Sequence, residues 1–421
     1  MRLHWAWVVA GVSFIALVGA ASFRAAPGAL IEPLQSEFGW STGTISLAIS
    51  INLLLYGLTA PFAAALMDRF GVRIVVTYAL TMVAIGSGLT VFMTESWQLV
   101  LLWGVVVGLG TGSMALAFVA TITGRWFVRH RGLVTGVLTA GGAAGQLVFL
   151  PTVAWLSESY GWRPASLVIC IAALAVVPLA AFFLREYPRD VGLLPLGATE
   201  DTPPPPGGGA ARRAIGGLLS AARTRPFWLL AGGFAICGAS TNGLVGTHFI
   251  PAAHDHGMPT TTAAGLLALV GVFDVVGTIA SGWLTDKVDS RMLLAAYYAL
   301  RGLSLMLLPQ LFGESAHPSM LVFIIFYGLD WVATVPPTVA LCRQYFGVSG
   351  PVVFGWVFAS HQVGAAIAAS AAGLTRDHLG SYDLAWYVAG ALCTGAAVLS
   401  ASLARGAEDA PRDLAGQGAA R

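Results

Sequence analysis

The sequence predicts an all-α membrane protein of twelve transmembrane helices in two six-helix pseudo-repeats. Three observations lead there. Hydrophobic residues make up 57% of the 421-residue chain and charged residues 10%, against about 25% charged in soluble domains. The mean hydropathy of +0.77 comes from recurring apolar runs that meet the roughly 20 residues a hydrocarbon core demands. Landmarks of the first half also recur in the second at an offset of about 218 residues. The composition excludes a cytosolic enzyme, and a formal net charge of +2 excludes a binder of nucleic acid or another polyanion. Cys170, Cys237, Cys342 and Cys393 stand alone in apolar runs, with no CxxC spacing and no histidine companion. They read as buried thiols, with no disulfide framework, metal site or cofactor expected.

Hydropathy places the spans at 5–33, 43–66, 73–94, 97–121, 132–156, 163–185, 226–250, 261–285, 291–313, 317–341, 351–375 and 382–404. They must be helices, because hydrocarbon offers no partner for backbone N–H and C=O groups and the runs lack the short alternation of a β-barrel. The stretch from Met1 to Ala21 has features of a secretory signal, but the apolar run continues past Arg24 to Leu34. It is read as a retained long helix bent at Pro27-Gly28. With both termini on the cytoplasmic side of the inner membrane, 18 of the 22 Lys and Arg residues fall inside. Arg163 and Arg376 then lie in outer loops, and Arg24 and Arg301 within spans.

The chain divides into a bundle at 1–190, a cytoplasmic linker at 191–225, a second bundle at 226–405 and a tail at 406–421. The linker contains Pro203 to Pro206 and Gly207 to Gly209, a composition that cannot bury enough apolar surface to fold alone. After span 2 comes Asp68-Arg69-Phe70-Gly71-Val72-Arg73, and after span 8 Asp286-Lys287-Val288-Asp289-Ser290-Arg291. Arg125-Trp126-Phe127 with Gly136 is matched by Gln344-Tyr345-Phe346 with Gly355. Paired halves of this kind suggest a central cavity whose two mouths open in turn as the halves rock.

Over nearly its whole length the chain resembles the major facilitator superfamily, whose Gly-x-x-x-Asp-Arg-x-Gly-x-Arg motif is present as Ala64, Asp68, Arg69, Gly71 and Arg73. A weaker copy is Gly282, Asp286, Lys287 and Arg291, with Asp289 in the place of the glycine. The resemblance implies the twelve-helix major facilitator fold and a conformational latch at these residues. The same charges also serve as positive-inside topology signals. The segments Pro33–Ser41, Arg125-Trp126-Phe127 with Arg129 and Arg131-Gly132, and Asp190–Gly197 look like the monocarboxylate and oxalate/formate porter branch. That branch often carries Asp-x-x-x-Arg in span 8, whereas here Asp274 is followed by Thr278. The lysine that the oxalate carriers have in span 11 falls near His361.

An ionisable group at the middle of a span costs about 2.5–3.5 kcal/mol on insertion scales, so each should face a partner or a wet cavity. Asp274, Arg301 and Asp330 fall at matching depth in spans 8, 9 and 10. One reading is a static network that holds these spans together. The other is that Arg301 pairs with one carboxylate, leaving the second to carry a coupling proton. Arg24 in span 1 offers an always-charged planar fork suited to a carboxylate; the competing reading has it snorkel to the interface. Asn52, Gln146, Asn242, His248, His361 and Gln362 supply further hydrogen-bonding groups for substrate or for interhelical contact. Tyr327 and Trp331 offer an apolar wall.

The glycines of spans 4 and 5 have the spacing of close helix packing, and no Walker pattern is present. The reading is a monomeric secondary carrier for a small organic anion, a carboxylate by preference, working by alternating access with protons. Symport is favoured over exchange. The alternatives are an exporter of amphipathic drugs or metabolites and a non-transporting sensor on the same fold.

Overall fold

In the computed structural model, residues 4–114, 116–200 and 209–403 are described. The tail expected at 406–421 and the proline-rich part of the linker at 201–208 lie outside the described residues. Helices long and apolar enough to cross a bilayer run over Trp5–Phe38, Thr42–Phe70, Val72–Thr90, Ser96–Trp126, Arg131–Tyr160 and Trp162–Phe183 in the first half. The second half has Arg225–Asp255, Thr260–Thr285, Ser290–Leu311, Pro318–Leu379 and Asp383–Ala401. The 62 residues of Pro318–Leu379 would extend about 90 Å as one helix, three times the depth of a hydrocarbon core. A short turn at Gly347–Ser349 divides them, and Val335–Phe346 packs back on Gly350–Leu379. These are spans 10 and 11, and the count among the described residues is twelve. The protein is thus a multi-pass integral membrane protein. The linker and the described chain ends share one face, here the linker face; the opposite face is the far face.

The halves meet through three seams, span 1 with span 7, span 2 with span 11, and span 5 with span 8. The span 2–span 11 seam carries hydrogen bonds from Ser50 Oγ to the Ala366 carbonyl and between Ser50 and Ser370 hydroxyls at 2.6 and 2.7 Å. Toward the linker face it continues through edge-on ring pairs, Tyr56 with Phe358 and Phe62 with Trp356, at 6.0 and 5.7 Å.

Every third span is irregular near its middle. Span 1 breaks at Ala26: Pro27 has no N–H for the Phe23 carbonyl, and the Ala26 N–H takes that acceptor at 3.0 Å. Span 4 contains a π-helix at Val100–Val107 and a turn at Ser113 and Met114. Span 7 contains a π-helix at Ala239–Val245, and span 10 unwinds between Asp330 and Val335. The 218-residue offset seen in the loops carries Ala26 onto Leu244 and Ser113 and Met114 onto Trp331 and Val332. The repeat therefore extends from the surface motifs to the interrupted backbone at the centre of the bundle.

Parts of the linker are ordered against the bundles. Leu196 forms an isolated bridge with Phe127; its N–H donates to the Trp126 carbonyl, and its own carbonyl accepts from Val128 and Arg129. Residues Ala210–Ala221 form a helix that packs on spans 2 and 11, where Trp356 Nε1 donates to the Ala214 carbonyl at 2.8 Å. The expected structureless connection is thus partly corrected: the neighbouring spans supply the apolar surface that its composition lacks.

Candidate functional site

Arg24 lies just before the break in span 1 and faces a small recess of about 40 Å³ lined by Leu17, Ala21, Tyr56, Thr111, Met114 and Gly142. Its Nη1 donates to the Tyr56 hydroxyl at 2.9 Å, and its guanidinium carbon stands 5.5 Å from the Tyr56 ring centroid. No carboxylate comes within ion-pair distance of Arg24 among the described residues, and the side chain is exposed to the opening. A planar cation held by a phenol, with donors left over, is suited to receive a ligand carboxylate in two-point contact. Tyr56, Thr111 and Met114 were not singled out in the sequence. Tyr56 is one turn from Asn52 on span 2, but a lone tyrosine in an apolar helix carries no signal of its own.

Several expected substrate contacts are placed elsewhere. Asn52 is buried, and its Nδ2 donates to the Trp103 carbonyl at 2.7 Å, inside the π-helix of span 4. His248 is buried between spans 7 and 11, with Nε2 2.8 Å from the Ala369 carbonyl and its ring against Tyr382. Tyr327 is buried in the second bundle, where its hydroxyl donates to the Ser240 carbonyl at 2.9 Å and its ring meets the edge of Trp331. Each of the three spends one polar atom on a backbone carbonyl of a neighbouring helix, as interhelical contacts do, while His248 Nδ1 has no hydrogen-bond partner among the described residues. His361 packs between Phe234 and Phe358, and Gln362 sits against Gly57 on the seam with span 2. His361 Nδ1 and Gln362 Oε1 are buried without a hydrogen-bond partner among the described residues. Gln146 and Asn242 are half-buried on spans 5 and 7.

The three mid-membrane charges form a brace around the gap in span 10. Pro336 and Pro337 supply no N–H, which frees the carbonyls of Val332 and Ala333. The Val332 carbonyl accepts from the Val335 N–H at 2.9 Å, and the Ala333 carbonyl from Ser281 Oγ of span 8 at 2.5 Å. Arg301 of span 9, with 0% of its surface exposed, donates Nε to Asp330 Oδ2 at 2.5 Å and Nη2 to the Asp330 carbonyl at 2.6 Å. Its Nη1 reaches Cys237 Sγ in span 7 at 2.8 Å. Asp274 of span 8 accepts from the Val332 N–H and from Thr278 Oγ1, both at 3.0 Å, through Oδ1. Asp274 is half-buried and has no cationic partner among the described residues. Arg301 and Asp330 thus make the structural pair, and Asp274 is the acid left without a counter-charge.

The latch is also assembled selectively. At the linker face Asp68 Oδ1 pairs with Arg125 at 2.7 Å, and Arg125 reaches Glu186 at 3.4 Å. Glu186 accepts from the N–H groups of Val72 and Arg73 at 2.6 and 3.1 Å, capping span 3 where the helix dipole favours an anion. Gly71, at φ +89°, leaves room for that carboxylate: a Cβ there would lie 2.6 Å from Glu186 Oε1. Glu186 was not foreseen, since only the fold brings the end of span 6 beside span 3. Arg69 covers the Phe70 ring, and neither Arg69 nor Arg73 forms an ion pair among the described residues. In the second copy Arg291 pairs locally with Asp289 at 2.5 Å and donates to the Leu403 carbonyl. Lys287 lies over Trp283, while Asp286 is exposed and forms no ion pair among the described residues. In this second copy of the motif no ion pair to another span is formed among the described residues; Asp289 and the Leu403 carbonyl take the arginine.

The sequence pattern of the Major Facilitator Superfamily matches residues 12–350 and 249–420. The chain belongs to this superfamily. It is 29% identical over 409 residues to Monocarboxylate transporter 13 of Rattus norvegicus, covering 94% of this chain and 88% of that protein. Monocarboxylate transporter 11 of Homo sapiens is 27% identical, covering 95% and 83%. The uncharacterized MFS-type transporter YcxA of Bacillus subtilis (strain 168) is 25% identical, covering 90% of each. Among solved structures, the inward open conformation of the xylose transporter XylE from E. coli superposes with a TM-score of 0.71 at 14% identity, over 96% of this chain and 97% of that one. The family and the relatives make this chain a membrane transporter of a small molecule and not an enzyme.

Arg301→Lys keeps the charge but cannot reach Asp330, its carbonyl and Cys237 at once, so thermal unfolding in detergent should lose on the order of 3 kcal/mol. Gly71→Ala meets both strain and the Glu186 carboxylate, and should cost about 1–3 kcal/mol in the same measurement.

Proposed function

We propose that the protein is a secondary carrier for a small organic anion, a carboxylate by preference, which it moves by alternating access together with protons. The observation that carries the reading is Arg24: a guanidinium open to a recess among spans 1, 2, 4 and 5, anchored by Tyr56, with no carboxylate at ion-pair distance among the described residues. An uncompensated cation at that depth is costly unless its site receives an anion or water. The relatives named as monocarboxylate transporters support the same substrate class and weigh against amphipathic drugs.

Asp274 is assigned the coupling proton. It is the acid near the centre that lacks a counter-charge, and its Oδ1 already holds the loose Val332 N–H at the gap in span 10. A change in its charge would therefore be felt by the interrupted helix directly. Asp330 is committed to Arg301 and is given no coupling role. The linker face is assigned to the cytoplasm of the cell that carries the protein in its inner membrane, because 14 of the 18 described Lys and Arg residues lie on that side.

Uptake of labelled small carboxylates into proteoliposomes under an imposed pH gradient tests the whole reading, and no flux across a broad panel would overturn it. Arg24→Lys keeps the charge and loses the fork, so the apparent KM for the transported anion should rise at least tenfold; an unchanged KM removes Arg24 from the substrate site. Asp274→Asn keeps an acceptor for Val332 but carries no exchangeable charge. Proton-driven accumulation should fall to background while anion exchange persists, and full accumulation would refute the assignment.

A further inference from the structure

Two caps at the far face join the halves, and each half supplies one. Asp377, in the last turn of span 11, accepts from the N–H groups of Thr42 and Gly43 at the start of span 2, at 2.9 and 2.7 Å. Glu158, in the last turn of span 5, accepts from the Thr261 N–H at the start of span 8, at 2.9 Å. The offset that relates the halves carries Thr42 and Gly43 onto Thr260 and Thr261, and Glu158 onto Arg376, the neighbour of Asp377. The two caps are thus one contact made twice, in opposite directions across the interface.

Each helix start depends on the other half for this contact. The first four N–H groups of a helix have no partner within it and carry the positive end of the helix dipole. In span 2 the residue preceding the helix, Ser41, serves the Thr44 N–H at 3.2 Å and leaves those of Thr42 and Gly43 to Asp377. In span 8 that position is Pro259, whose side chain has no acceptor to offer. Arg376 ties the end of span 11 to Asp255 of span 7 at 2.6 and 2.9 Å, which fixes the backbone that carries Asp377. A third far-face contact between the halves pairs His254 with Glu32 at 2.9 Å. Among the described residues no ion pair crosses between the halves at the linker face, where Arg125 and Arg291 pair within their own bundles.

We propose that Asp377 and Glu158 form the far-face gate of the carrier, a reciprocal pair of carboxylate caps that holds this mouth shut and is given up whenever it opens. The caps are exposed, so water can replace each of them and neither locks the cycle. Together they set the ratio of closed to open far face. The proposal rests on a carrier with two mouths but on no particular substrate or coupling ion.

The test uses the full chain in lipid nanodiscs without substrate, with Cys170→Ser and spin labels at Phe92→Cys and Ser315→Cys. These two exposed positions lie in far-face loops of opposite halves. Asp377→Ala and Glu158→Ala should each raise the open-to-closed ratio on the order of fivefold, and the double variant about 25-fold, as expected for loss of one and two helix caps at separate sites. Gly43→Ala is an independent probe: its Cβ would lie 2.8 Å from Asp377 Oδ2 and displace the carboxylate, although alanine favours the helix itself. It should shift the distances in the same direction. Unchanged distances in the single variants and in Gly43→Ala would overturn the proposal, as would lower thermal stability with no change in distances. A carrier that opens as expected but moves no carboxylate would count against the substrate reading alone.

Discussion

A backbone interrupted in hydrocarbon must find its hydrogen bonds from neighbouring helices, and this constraint organises the second bundle. Pro336 and Pro337 open span 10 at mid-membrane, and four side chains from three other spans close around the opening. Arg301 is the centre of that closure, since one guanidinium reaches a carboxylate, a carbonyl and a thiol on two different helices. A buried ion pair is weak evidence for stability by itself. Its weight here comes from the freed peptide groups, which would otherwise face lipid or apolar side chains.

The same constraint separates the roles of three residues that look alike in the sequence. Asp274, Arg301 and Asp330 are equally deep and equally out of place among apolar neighbours. Only packing distinguishes the acid that holds the arginine from the acid that holds a loose amide. In the first bundle the corresponding centre is less enclosed. There Arg24 leans on a phenol and leaves the rest of its fork to the recess. The two halves share a pattern of interruption and differ in what fills it, which is how a symmetric framework can hold an asymmetric site.

What could be read from the sequence follows from the range of the forces involved. Span number, the bend at Pro27 and the six-plus-six repeat depend on local composition and on proline chemistry, and all three are found in the structure. The common level of Asp274, Arg301 and Asp330 was legible too, because position along a helix is a count of residues. Orientation about the helix axis was not. Asn52 is one turn from Tyr56, yet it turns to the π-helix of span 4, while His248 and Tyr327 face their own bundle. Glu186 was invisible for a related reason: its partners are separated from it by 114 and 113 residues. In the second copy of the loop motif, an aspartate in the place of a glycine gives Arg291 a partner within its own loop, whereas its counterpart Arg73 forms no ion pair among the described residues.

The helix at Ala210–Ala221 lies over the ends of spans 2 and 11, and Trp356 is fastened to it. That makes the seams mechanically unequal. Span 2 touches span 11 from Thr42 near one face to Phe62 near the other, and the connecting chain straps this line from outside. Between spans 5 and 8 the described side-chain bond is the one at Glu158, at the far end. The seam of spans 5 and 8 is therefore the more lightly fastened of the two, and its far end yields once Glu158 lets go.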